Sequence, residues 1–153
     1  MRLFFFFCVM AVQVEVKREI TASGQTVWDY IKDFGGLDKW AGPVSVCEII
    51  GDIPNNNIGS MRKLTFTDGG SIQERLTELD NDKFILSYSI PGDDLPHITN
   101  YNATTKVIPK DDSSCEFVWS ATFDTTEEGK EQALQMINGL FNGVSDDMVK
   151  HFQ

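Results

Sequence analysis

The sequence is poor in the residues that hold metals or staple small folds. Its 153 residues include 3 cysteines, Cys8, Cys47 and Cys115, and 2 histidines, His97 and His151. An odd cysteine count without a CxxC spacing argues against a disulfide framework and for buried thiols in a reducing compartment, so a cytoplasmic location is expected. Soft ligands this few and this far apart exclude a His/Cys zinc or iron site, and no EF-hand-type calcium loop is present. No metal and no cofactor are expected. Basic residues are scarce too: 13 Lys plus Arg stand against 23 Asp plus Glu, a formal charge of −10. That balance favours solubility and works against a nucleic-acid partner.

A membrane-spanning apolar run is also missing. In MRLFFFFCVMAVQ, Arg2 precedes about ten apolar residues, half of what a membrane helix needs. The segment has the look of a secretory signal, and cleavage after Ala11 would meet the small-residue rule, yet it is shorter than the ~15 residues such signals use. Residues 1–11 are therefore read as an N-terminal extension, with secretion as the alternative. Residues 12–153 are the right length for one domain with a single core. A monomer or a weak homodimer is expected.

What is present is organised. VQVEVKREI (12–20) alternates Val12, Val14 and Val16 with polar residues, as a half-buried strand does. Thr21 and Ser23 offer caps for a short helix carrying Val27, Trp28, Tyr30 and Ile31, which Gly35-Gly36 ends, and LDKW adds one more turn. Six strands then follow, at 44–52, 59–68, 71–80, 82–90, 98–108 and 115–124, joined by Asn/Asp/Gly/Pro turns. Short turns between consecutive strands make an antiparallel sheet. The last segment places Ala133, Ile137, Leu140, Phe141, Val144, Met148 and Phe152 at three- and four-residue spacing, one apolar stripe on a long helix. Gly139 and Gly143 weaken that helix by about 1 kcal/mol each relative to Ala, for which close packing or space for something else is the usual reason. Strand, two short helices, six strands and a long helix describe an α+β fold, a seven-stranded curved sheet wrapped around the terminal helix.

In SIQERLTELD, period-two alternation puts Ile72, Glu74 and Leu76 on one face. A carboxylate on an apolar face needs a partner. The preceding strand puts Ser60, Arg62, Leu64 and Phe66 on one face. A two-residue Asp68-Gly69 loop would bring Arg62 opposite Arg75 and break the pattern. A three-residue loop, Thr67-Asp68-Gly69, with Gly69 left-handed, pairs Phe66 with Gly70 and Leu64 with Ile72, and sets Arg62 opposite Glu74. An interior Arg62/Glu74 pair is therefore predicted.

Tyr88 alternates with Phe84, Leu86 and Ile90, Tyr101 with Ala103 and Thr105, and Trp119 with Phe117 and Phe123. These inward faces describe an apolar cavity with a few convergent polar groups, the usual form of a small-molecule site. The residues expected to line it are Trp40, Leu64, Tyr88, Trp119, Ile137 and Phe141, and its partner would be a small hydrophobic molecule. The pair alone has a second reading, since a buried ion pair can serve only to fix strand register. His97, after Leu95-Pro96, reads as a surface loop residue, His151 as a cation near a helix C-terminus, and Cys47 as a small core residue.

VWDYIKDFGGLDKW, the G-x-x-R of Gly59 to Arg62, IQERLTELD, SYSI, NYNATTKV and VWSATF together resemble the START/SRPBCC superfamily of helix-grip proteins. The likeness covers roughly residues 12–152 and points to the polyketide cyclase/dehydrase and lipid-transport branch. The abscisic acid receptors have similar E-R-L and N-Y-x-x-x-T runs. Their gating loop is longer than Thr67 to Gly70, and their carboxylate-holding lysine would fall near Ala41, which speaks against hormone sensing. The lachrymatory factor synthase branch is more similar around DFGGLDKWAGPVSVCEII, and its proposed acid/base and binding residues match Arg62, Glu74 and Tyr101, with an aromatic at Trp119. This resemblance implies proton-transfer chemistry without carrying over the sulfenic-acid substrate, because the same Arg, Glu and Tyr recur in members without that role.

Two functions are thereby open. In one, a cyclase, dehydratase or isomerase uses Glu74 as base while Arg62 and Tyr101 stabilise oxyanion charge. In the other, a carrier or sensor holds a ligand's acidic or carbonyl end with Arg62, and Glu74 orients Arg62. Burial raises the Glu74 pKa and Arg62 lowers it, so the sequence leaves the sign of the net shift open.

Overall fold

The alternating runs form one antiparallel sheet in a computed structural model, which describes residues 8–153. The reading of an extension or signal at the extreme N-terminus falls for residues 1–7 outside the described residues. In chain order the strands are β1 (Val9–Ile20), β2 (Val44–Ile50), β3 (Met61–Phe66), β4 (Ser71–Asp80), β5 (Ile85–Ile90), β6 (Thr99–Asp111) and β7 (Ser114–Thr126). Their spatial order is β1-β7-β6-β5-β4-β3-β2, so every neighbour from β2 to β7 is a hairpin partner and β1 closes the far edge. Helix α1 (Gly24–Ile31) and a 3₁₀ turn (Phe34–Lys39) carry the chain from the β1 edge to the β2 edge, and α2 (Lys130–His151) ends the fold. This is the expected helix-grip arrangement.

Local chemistry sets the element ends. Ser23 caps α1 by accepting from the Thr26 amide at 3.1 Å, and Asp33 caps the 3₁₀ turn through the Gly35 amide at 3.2 Å. The stripe on α2 buries Ala133, Ile137, Phe141, Val144 and Met148, while Leu140 and Phe152 stay half-buried. An added Cβ at Gly139 or Gly143 would meet nothing within 4 Å, so close packing does not account for either glycine. It does account for Gly129, the residue before α2, where a Cβ would fall 2.6 Å from His97.

Several element boundaries differ from expectation. β1 begins at Val9 rather than near Val12, because Val9, Met10 and Ala11 pair with Thr126, Thr125 and Asp124. That pairing also draws Thr125 and Thr126 into β7, so α2 starts only at Lys130. β5 begins at Ile85 rather than at residue 82, because Asp80 Oδ1 accepts from the amides of Asp82 and Lys83, both at 2.9 Å, and closes a turn there. Phe84 leaves the sheet pattern with a left-handed φ of 58° and stacks on Trp28 at 5.5 Å.

Of the cysteines, Cys8 is exposed, Cys47 half-buried and Cys115 buried. His97 and His151 are both exposed. His151 stacks on Tyr30 at 4.4 Å. Among the described residues no helix is long and apolar enough to cross a membrane, and no cluster of three His, Cys, Asp or Glu side chains could hold a metal.

Candidate functional site

The β3–β4 turn has the predicted three-residue geometry. Gly69 has φ +96°, the Phe66 amide donates to the Gly70 carbonyl at 2.8 Å, and the register sets Leu64 opposite Ile72 and Arg62 opposite Glu74. Both charged side chains are buried, Arg62 at 2 % exposure and Glu74 at 4 %. Arg62 Nε donates to Glu74 Oε2 at 2.7 Å, and Nη2 contacts that same oxygen. Nη1 donates to the Phe34 carbonyl at 2.7 Å, while the guanidinium lies 4.1 Å from the centre of the Phe34 ring and 5.1 Å from that of Tyr88.

The expected cavity exists, with a volume of about 450 Å³ between the sheet and α2. Its deep wall is buried and includes Glu74, Tyr88, Tyr101, Trp119, Leu64 and Ile137. Its mouth is exposed, formed by Asp68 and Ser71 of the β3–β4 hairpin, Asp94 and Pro96 of the β5–β6 loop, and Met136 of α2. The wall is mainly apolar.

Several structural details aim the polar groups. β6 carries an irregularity between Thr99 and Asn102, where Asn100 has φ +51°, and Tyr101 emerges beside it opposite Ile90. Bulges of this kind re-aim a side chain. Trp119 Nε1 donates to the Tyr88 hydroxyl at 3.1 Å, and the rings of Tyr88 and Tyr101 lie 6.2 Å apart. Burial pushes the Glu74 carboxyl above the ordinary carboxylate range, with the charge and hydrogen bonds of Arg62 opposing it. The same burial, with the Glu74 charge added, raises the Tyr88 phenol, and burial next to Tyr88 raises Tyr101 well above its usual value. Cys47 is raised by burial too.

Three expected residues stand elsewhere. Arg62 is not among the residues lining the cavity: its donors are directed at Glu74 Oε2 and at the Phe34 carbonyl. Trp40 packs edge-on to Phe117 at 6.2 Å and tilted on Trp119 at 5.6 Å, beside a void of about 10 Å³ that Arg62 and Thr105 also line. Phe141 stacks on Trp119 at 4.2 Å and an interplanar angle of 14°. Trp40 and Phe141 thus brace Trp119 from outside the cavity. The sequence reading missed the mouth. Asp68 and Asp94 sat among turn residues, and Met136 adjoins Ile137 one position off the apolar stripe.

Comparison with known proteins agrees with this architecture. The family described as polyketide cyclase / dehydrase and lipid transport matches residues 11–153. A solution NMR structure from Thermobifida fusca shares 30 % identity with a TM-score of 0.80 and 92 % coverage of each chain. The protein XoxI from Bacillus cereus shares 25 % identity and a TM-score of 0.80, over 92 % of this chain and 94 % of that one. Norcoclaurine synthase from Thalictrum flavum, solved in complex with dopamine and hydroxybenzaldehyde, is similar in fold, with 22 % identity, a TM-score of 0.73, and coverage of 93 % and 86 %.

Proposed function

The chain belongs to the polyketide cyclase / dehydrase and lipid transport family, and from that premise we propose that it binds a small, partly apolar molecule in the cavity and exchanges a proton with it at Glu74. One observation carries this reading. Both Arg62 contacts to Glu74 fall on Oε2, and Glu74, not Arg62, lines the cavity, so we take Oε1 as the oxygen open to a ligand. A general acid or base works best with a pKa near the operating pH, and burial moves Glu74 in that direction. Tyr101, protonated because its pKa is raised, is the donor that can meet developing oxygen charge. Arg62 holds Glu74 in place, and the apolar wall takes the body of the substrate.

A non-catalytic carrier is the second reading, favoured by the two phenols. Tyr88 and Tyr101 both hold their protons firmly, so they can bind a polar head without exchanging anything. Native mass spectrometry of protein from its own host separates the two. A co-purifying molecule should disappear in Ile137→Trp, which fills the cavity, and Glu74→Gln should still bind it. Conversion of that molecule by the parent and not by Glu74→Gln supports proton exchange. Equal behaviour of parent and Glu74→Gln supports the carrier, and retention in a folded Ile137→Trp protein removes the cavity from consideration.

A further inference from the structure

Apart from the phenols of Tyr88 and Tyr101, every ionisable side chain lining the cavity is a carboxyl. Asp68 and Asp94 stand at the mouth and Glu74 at the deep end, and no lysine, arginine or histidine contributes to the wall. The two mouth carboxylates accept only backbone hydrogen bonds, Asp68 from the Gly70 amide at 2.8 Å and Asp94 from the Gln73 amide at 2.9 Å. Neither has an ion-pair partner among the described residues. Arg62 is behind the wall with its donors on Oε2 and the Phe34 carbonyl. A carboxylate ligand would thus pass two mouth carboxylates that have no ion-pair partner and end against the Glu74 carboxyl, whose one counter-charge, Arg62, lies behind it, in a chain of net charge −10.

The deep end is built for the opposite charge. Glu74 is 96 % buried, by difference from its 4 % exposure, and its Oε1 is not the oxygen that Arg62 holds. The side chains of Tyr88, Tyr101 and Trp119 line the same end and make it largely aromatic. Resting on the reading of this cavity as a ligand site, we infer that its ligand is a protonated amine on a small apolar body, with an ammonium N–H donated to Glu74 Oε1, and that carboxylates of the same shape are excluded. The mouth aspartates then serve to draw the cation in, and Arg62 keeps Glu74 facing it.

The test is calorimetric titration of the full chain with 4-phenylbutylamine, 4-phenylbutanol and 4-phenylbutyrate, which share one body and differ in head charge. At an ionic strength of about 0.15 M, where weak surface attraction is screened, the amine should bind about tenfold or more tighter than the alcohol, and the carboxylate should give no heat. Glu74→Gln, checked for folding by circular dichroism, should bring the amine to within about twofold of the alcohol, a difference of only a few tenths of a kcal/mol. Ile137→Trp should abolish binding of all three. Equal binding of amine and alcohol, carboxylate binding as tight as the amine, or an amine preference unchanged in Glu74→Gln overturns the inference while leaving the cavity a ligand site. No binding of any of the three by the parent overturns the inference together with the reading beneath it.

Discussion

Two hollows of similar size invite comparison, one of about 450 Å³ holding Glu74 and one of about 500 Å³ holding Asp33, the cap of the 3₁₀ turn. Asp33 is saturated. Its Oδ1 accepts from the Gly35 amide at 3.2 Å, Asn55 Nδ2 at 2.7 Å and Asn56 Nδ2 at 3.4 Å, and Oδ2 lies 3.8 Å from Lys39 Nζ. Even the indole of Trp28 in that hollow is satisfied, donating to Asn81 Oδ1 at 3.0 Å. Glu74, by contrast, shares one oxygen with a single arginine and turns toward an apolar space. Volume does not separate the two hollows; the unspent hydrogen-bonding capacity of a buried group does. The first carboxylate is held by the chain around it, and the second is the one we propose for a ligand.

Removing Arg62 should have the largest effect. Arg62→Ala would leave Glu74 buried without its counter-charge, and the expected loss is about 3–5 kcal/mol in urea unfolding. A loss under about 1 kcal/mol would mean that water already reaches the carboxylate. Asp33→Ala removes a cap and should cost about 1 kcal/mol by the same measurement, while leaving amine binding at Glu74 unchanged.

Glu74 itself sharpens the contrast through pH. Its folded pKa is raised above 4.5, so the folded chain binds this proton more readily than the unfolded chain does. The stability from this linkage is complete below pH 4.5 and is lost as pH rises through the folded value. Unfolding midpoints of the parent should therefore carry a downward step above pH 4.5 that Glu74→Gln lacks. A step of the opposite sign would mean that Arg62 outweighs burial. The smallest effect belongs to Lys39, whose side chain is 75 % exposed: Lys39→Ala should stay within about 0.5 kcal/mol of the parent.

Sequence made the pair legible because two independent local signals agree there. Alternation fixes which residues share a face, and the left-handed glycine at position 69 fixes the length of the turn, so Arg62 could only meet Glu74. The same logic failed at Phe84, where Asp80 hydrogen bonds hold a turn that apolar alternation cannot reveal. It also failed for Trp40 and Phe141. A side chain can be inward-facing and lie one layer behind the wall, and periodicity carries no depth.

The order of elements, the antiparallel hairpins, the stripe on α2 and the register that buries Arg62 against Glu74 are all encoded locally, because each depends on neighbours in the chain or across one turn. Tertiary structure alone decided which member of the pair faces the cavity. The Phe34 carbonyl, 28 positions away from Arg62 in the chain, accepts its Nη1 and helps hold the guanidinium behind the wall. The acidic mouth likewise exists only because the β3–β4 hairpin and the β5–β6 loop come together, where the Gln73 amide binds Asp94 across 21 positions. Such long-range contacts follow from packing a whole sheet around one helix, and no local pattern encodes them.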